Sequence, residues 1–154
     1  MDLQPITTFF ETDHRRLDEL FAQYRRDIQV DRVVARQSFK RYRSFLERHI
    51  FWEEKMMFPL FEEKMGFSGT GPTEVMRKEH ALIEKYLSEI AQKLEEPDGS
   101  TVDEEQRLSN IMSLHNRKEE GILYPAIDRA LTAVEWQEIL AKIHASMKDE
   151  VHAN

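Results

Sequence analysis

Imidazoles and carboxylates one helical turn apart set the chemistry open to this chain. His49-Ile50-Phe51-Trp52-Glu53-Glu54 carries a histidine and a glutamate four residues apart. On a helix that spacing puts both side chains on one face. The arrangement returns at His115-Asn116-Arg117-Lys118-Glu119-Glu120, 66 residues later. Phe58-Pro59 and Tyr124-Pro125 keep the same offset. So do Asp13-His14 and Glu79-His80, with Asp18 falling on Glu84. Four of the six histidines therefore belong to a duplicated pattern. A duplication at one period constrains the architecture before any single residue does.

Each half supplies one histidine from its first segment and a His-x-x-x-Glu from its second. His14 to His49 and His80 to His115 both span 35 residues, which sets the four imidazoles at one level. Taken alone, His14 on an apolar seam reads as a core histidine satisfied by a neighbour. Four histidines and two glutamates on inward faces do not read that way. Burying so many titratable groups unpaired costs several kcal/mol each, and a cation is the natural compensation. Imidazole with carboxylate suits Fe, Mn, Zn or Co, and the carboxylates favour iron or manganese over copper. Two ions fit the six ligands: His14 with His49, His80 with His115, and Glu53 and Glu119 between them, each able to bridge. Such a pair leaves room for a bridging oxide or hydroxide and open positions for a small molecule.

Other residues near this pattern admit two readings. Asp18 and Glu84 each lie one turn after a histidine. They are extra ligands or, in the reading adopted, carboxylates beside the ligands or at the rim. Tyr42 and Tyr24 either hydrogen-bond a bound ligand or, as adopted, are core with the hydroxyl at the rim. Glu54 and Glu120 are solvated or hydrogen-bond a ligating histidine. Met56, Met57, Phe58, Phe61, Ile122 and Leu123 are expected to wall the centre. His144 and His152 fall outside the repeat and read as surface or rim residues.

The elements that must position these groups are helices. Apolar residues recur at steps of three and four through Phe10, His14, Leu17, Phe21 and Tyr24, from Pro5 to about Asp27. Asp31 suits the N-cap of a second helix along Ala35, Ser38, Tyr42, Phe45, His49, Glu53, Met56 and Leu60, kinked by Pro59. Gly66 and the run Ser68-Gly69-Thr70-Gly71 end it. That run lacks the strand and the Gly-Lys-Ser/Thr of a phosphate loop. Pro72 opens a third helix along Met76, His80, Ile83, Leu87, Ile90 and Leu94. Thr101 with Glu104 reads as a capping box for a fourth, along Leu108, Met112, His115, Glu119, Ile122 and Ala126, kinked by Pro125. A second box, Thr132 with Glu135, starts a short fifth helix. The fold class is all-α: an up-down-up-down four-helix bundle with a short extra C-terminal helix. One domain covers 1–154, as two αα-hairpin repeats at about 5–66 and 72–131 plus a helix at 133–148.

Composition agrees. The chain has 154 residues, which suits one domain. Its net charge of −7, without a basic stripe, argues against nucleic acid as a partner. No apolar run is long enough for a bilayer, and Met-Asp-Leu-Gln-Pro does not read as a signal peptide. The absence of cysteine excludes disulfides and thiolate metal sites and makes the cytoplasm the expected compartment.

Together the motifs Asp13-His14-x-x-Leu17-Asp18, His49-x-x-x-Glu53-Glu54, Glu79-His80 and His115-x-x-x-Glu119-Glu120 with Ile122-Leu123-Tyr124-Pro125 resemble the hemerythrin-like, HHE-type cation-binding domain. The resemblance covers about Thr8 to Ala130. It implies a four-helix bundle holding a non-haem di-iron centre. Two departures separate the chain from the oxygen-carrying members. Those have a further histidine on the third helix, where Met76 and Glu84 flank His80 here. They also place an Asp five residues after the fourth-helix histidine, where this chain has Glu119 at four. The four-His, two-Glu set is more similar to iron-centre-repair proteins that respond to nitric oxide or oxidative damage. This chain has no cysteine-bearing segment ahead of its first helix.

The expected function is a redox protein in which two iron ions, with manganese or zinc as substitutes, bind or react with dioxygen, peroxide or nitric oxide. It belongs to stress response or oxygen sensing, with an electron donor as partner. The alternative is an iron-handling module that stores, senses or donates iron to an acceptor protein, for repair of iron–sulfur centres. A structural bundle with a zinc site and no redox role is the third reading.

Overall fold

The computed structural model describes residues 3–67 and 69–153, with side chains as far as Asp149. Met1, Asp2, Ser68 and the side chain of His152 lie outside the described residues. Regular structure among the described residues is helical throughout. Helix α1 (Pro5–Asp27) opens at Pro5, whose missing N–H is one the first turn leaves unpaired in any case. Asp31 caps α2 (Arg32–Phe51), accepting from the N–H of Val33 at 2.9 Å and of Val34 at 3.3 Å.

The second segment does not continue as one kinked α-helix. It widens into a π-helical turn, π1 (Trp52–Met57), and resumes as α3 (Phe58–Met65). The fourth segment repeats this as α5 (Val102–Lys118), π2 (Glu119–Leu123) and α6 (Tyr124–Ala130). Pro59 and Pro125 each sit in the first turn of the resumed α-helix. At each proline the expected interruption of the α-helix takes the form of a π turn just ahead of it. A proline has no N–H to give, and a widened turn ahead of it removes the conflict.

One extra residue in a turn rotates everything after it by about 100° against the α-helical seam. Met57, Phe58 and Phe61 are therefore buried, whereas Met56 and Leu60 only pack against the edge of the core. Ile122, expected in the wall of the centre, is 66% exposed, and Leu123 and Tyr124 take the inside positions. Ahead of π1 the seam also shifts by one step. Phe39 and Leu46 are buried in place of Ser38 and Phe45.

Gly66, at φ 73°, closes α3 in the left-handed conformation. The Phe67 N–H donates to the Glu62 carbonyl at 2.9 Å, satisfying an end carbonyl. Helix α4 spans Pro72–Glu95. The Thr101 capping box does not form. The Thr101 hydroxyl turns inward to the Tyr24 hydroxyl at 2.8 Å and donates to Glu105, so it is spent on the core. The second box does form. The Thr132 N–H donates to Glu135 Oε1 at 2.8 Å, and the Glu135 N–H to Thr132 Oγ1 at 3.3 Å. Helix α7 (Ala133–Ala153) runs 21 residues, past the end expected at 148.

Helix α1 packs along α2, α4 along α5, α2 on α4, and α1 on α6. The apolar core is split in two. One body holds Phe10, Trp52, Met57, Phe58, Leu123 and Ile127, closed by Ile139 and Ile143 of α7. The other holds Leu17, Tyr24, Phe39, Leu46, Leu87 and Leu108. Along each bundle helix the residues between these bodies are His14, His49 with Glu53, His80, and His115 with Glu119, all buried.

Candidate metal centre

The duplicated hairpins bring all six side chains into one layer. The His14 and His49 rings are 4.7 Å apart, and those of His80 and His115 are 4.8 Å apart. Each imidazole is 2–3% exposed, and Glu53 and Glu119 are fully buried. Glu53 Oε1 lies 3.4 Å from His49 Nε2 and 3.3 Å from His80 Nε2. Glu119 Oε1 lies 3.2 Å from His14 Nε2 and 3.1 Å from His115 Nε2. Each carboxylate thus faces one imidazole from either hairpin. Two donor groups are compact enough for a single ion each: Glu53, His80, His115 and Glu119, and His14, His49 and Glu119.

Every imidazole is held from behind by a carboxylate. His49 Nδ1 donates to Asp13 at 2.8 Å and His115 Nδ1 to Glu79 at 2.9 Å. His14 Nδ1 donates to Glu120 at 2.8 Å and His80 Nδ1 to Glu54 at 2.6 Å. These four bonds obey the 66-residue offset pair by pair. A proton fixed on Nδ1 leaves the Nε2 lone pair aimed at the centre, which is how protein imidazoles are prepared for a metal. Of the two sequence readings of Glu54 and Glu120, the bond to histidine is the one found. Asp13 and Glu79 received no role from the sequence. Their signal was present: each directly precedes a repeated histidine.

The donors fit a cation. Glu53 Oε1, Glu119 Oε2 and His80 Nε2 are buried without a hydrogen-bond partner. The His80 and Glu53 atoms stand 3.3 Å apart but are not aligned for a bond. Orphaned acceptors at this density are what a positive ion satisfies. In the metal-free chain protons take part of that role. Burial opposes charge on His14, but Glu119, Glu53 and Glu120 outweigh it and raise the imidazole to about 9. His80 goes to about 10, where Glu53 and Glu54 overcome burial in the same way. Burial and the facing Glu119 push Glu53 up. Burial works on Glu119 too, but His115, Glu53 and His14 hold it well below the usual carboxylate range.

The sequence reading missed Tyr124. Its hydroxyl has one proton to give and lies 2.8 Å from Glu53 Oε2, 2.9 Å from Glu119 Oε1, 3.2 Å from His14 Nε2 and 3.4 Å from His49 Nε2. The repeat had marked it only as the aromatic partner of Phe58. The π turn brings it inside. Tyr42 is buried core, its ring tilted at 34° to Phe21 with centroids 5.0 Å apart, and burial pushes its phenol up. Tyr24 serves the far body of the core. Among the described residues, Asp18 and Glu84 bond no imidazole. Glu84 pairs with Arg43 at 3.7 Å. Asp18 lines a cleft of about 590 Å³ with Tyr42, Asn116 and Glu120. That cleft stops at Glu120, outside the sealed centre. His144 is exposed, edge-on to Phe9.

A helical bundle whose buried layer presents two compact His/Glu donor groups defines a cation-binding protein of the all-α class. A family model, the hemerythrin HHE cation-binding domain, matches residues 6–150, and the chain belongs to that family. No curated protein and no solved structure matches it. Among the described residues no helix is long and apolar enough to cross a membrane.

Proposed function

We propose that the chain is a non-haem di-iron protein that binds or reacts with dioxygen, peroxide or nitric oxide. The proposed ligands are His14, His49, Glu53, His80, His115 and Glu119. The observation that carries this reading is a donor layer of four imidazoles and two carboxylates, each no more than 3% exposed. The cleft lined by Asp18, Tyr42 and Glu120 ends short of it, so what reaches the ions is a small molecule. Bound iron supplies redox equivalents and exchangeable coordination positions; manganese or zinc fits the same donors.

The chain's own residues do the rest. Asp13, Glu54, Glu79 and Glu120 hold the four imidazoles in one tautomer. Phe10, Phe58 and Leu123 keep water out. Glu54 and Glu120 touch His80 and His14 yet are 24% and 34% exposed. Their carboxylates link the buried rings to the rim of the bundle. The reading includes a cytoplasmic location and a protein electron donor, with neither nucleic acid nor membrane as a partner.

The test is to prepare the diferrous protein without air, count its iron, and add each small molecule. Two irons per chain and a visible spectral change with at least one of them is the expected result. No change with any of them refutes oxidant chemistry. Rapid loss of iron to a weak chelator or an apo acceptor would shift the reading to an iron-handling module. Stoichiometric zinc in protein made in iron-rich medium would remove the redox role.

A further inference from the structure

We propose that Tyr124 is a one-sided metal ligand. Its phenol oxygen coordinates the ion held by His14 and His49, so the two positions of the duplicated centre are chemically unequal. The proposal rests on the ligand reading above and adds a residue outside the six-donor set, at a position where the repeat pairs tyrosine with phenylalanine.

The geometry around the oxygen carries it. Tyr124 Oη has four polar neighbours, at 2.8, 2.9, 3.2 and 3.4 Å: Glu53 Oε2, Glu119 Oε1, His14 Nε2 and His49 Nε2. Metal–nitrogen and metal–oxygen bonds of about 2.1 Å put adjacent corners of an octahedron about 3.0 Å apart. Each corner of an octahedron has four such neighbours. The phenol oxygen thus has the number and spacing of contacts that a ligand atom has with the other ligands around one ion.

Hydrogen bonding alone accounts for the arrangement poorly. With each Nδ1–H committed to a carboxylate, all four neighbours of the oxygen are acceptors, while a phenol has one proton. Three of the four contacts then set lone pair against lone pair. A cation at the shared point relieves it everywhere at once. On binding, the Tyr124 O–H bond breaks and the proton leaves to water. The oxygen keeps the electron pair and donates it to the ion, so no redox change accompanies the step.

The local backbone serves this placement. In an α-helix the residue five beyond Glu119 would lie about 140° round the axis from it. A π turn, bonded from i to i+5, brings it back over the same face. Phe10, 5.2 Å away, packs on the fully buried ring. At the repeat-related place stands Phe58, stacked at 5° to His80 with centroids 6.3 Å apart. It offers no oxygen. The orphaned Glu53 Oε1, Glu119 Oε2 and His80 Nε2 belong to the donor group on that side.

The experiment loads the full chain with ferrous iron, oxidises it to the ferric state, and records iron content, visible absorption and resonance Raman spectra. Wild-type protein should show a phenolate-to-iron(III) band that enhances tyrosinate ring vibrations. Tyr124→Phe should keep two irons and lose the band completely. Tyr86→Phe, altered outside the centre, should keep it. Phe58→Tyr should add a second phenolate and roughly double the band. That variant also keeps the test decisive if Tyr124→Phe fails to fold or to hold iron. Ferric wild-type protein with two irons and no tyrosinate vibrations overturns the proposal, as does a band that survives Tyr124→Phe. A chain that takes up no iron overturns the di-iron reading itself, and the iron count alone distinguishes that failure.

Discussion

Replacing Glu54 by alanine removes the carboxylate behind His80 and asks what the four Nδ1 bonds are worth. Glu54 Oε2 lies 2.6 Å from His80 Nδ1. A charge-assisted bond of this kind is worth about 1.5–3 kcal/mol. The bond exists with and without metal, so only its effect on ring orientation and basicity enters the metal affinity. That share is about 10–100-fold, or about 1.4–2.7 kcal/mol. A second effect opposes it. Against the pull of burial, Glu53 and Glu54 raise His80 to about 10, so near neutrality the ring must shed a proton before it can bind metal. Without Glu54 that proton leaves more easily, which offsets part of the loss. Proton competition fades as pH rises, so the affinity gap between wild type and Glu54→Ala should widen between about pH 7 and about pH 8.5. The assay is competition of zinc or cobalt(II) against a chelator of known affinity at both pH values. Glu120→Ala, related by the repeat, should weaken the ion at His14 to a similar degree. Glu84→Ala, whose carboxylate pairs with Arg43 instead, should change nothing. Affinities of Glu54→Ala within about threefold of wild type at both pH values, or a gap that shrinks as pH rises, would refute the reasoning.

Three further outcomes follow from the same geometry. His14 is raised from 6.5 to about 9 on folding, so it stabilises the metal-free fold fully below 6.5 and loses that contribution as pH climbs through 9. His14 alone contributes about 3 kcal/mol, visible as a falling urea midpoint over that range, and a flat profile for the metal-free chain would contradict it. The π2 turn predicts that Ile122→Lys changes stability by no more than about 0.5 kcal/mol, whereas Leu123→Ala costs about 2–5 kcal/mol. Chemical denaturation of both variants decides this, and the reverse order would show that the helix keeps its α register. Leu87→Ala, fully buried in the body of the core away from α7, should cost about 2–5 kcal/mol with and without metal. A cost confined to the metal-free protein would mean that the ions, rather than the apolar bodies, hold that end together.

Much of this protein is written locally. One 66-residue offset relates His14 to His80, His49 to His115 and Glu53 to Glu119, and it survives in the sequence without any coordinates. Proline at the start of α1 and α4, aspartate at the start of α2 and glycine at the end of α3 mark helix ends through backbone chemistry that acts within a few residues. The bundle and its inward layer of imidazoles follow from that periodicity. Other features depend on groups far apart in the chain. Thr101 gives up its cap because Tyr24, 77 residues away, competes for the hydroxyl. His14 is held by Glu120 across 106 residues, a pairing that only the packed hairpins create. Ile122 faces out and Tyr124 faces in because two turns widen beside the buried glutamates. A seam can be extrapolated at 3.6 residues per turn only while every turn keeps its i to i−4 bond. Whether a turn breaks that rule is decided by what the rest of the fold places opposite it.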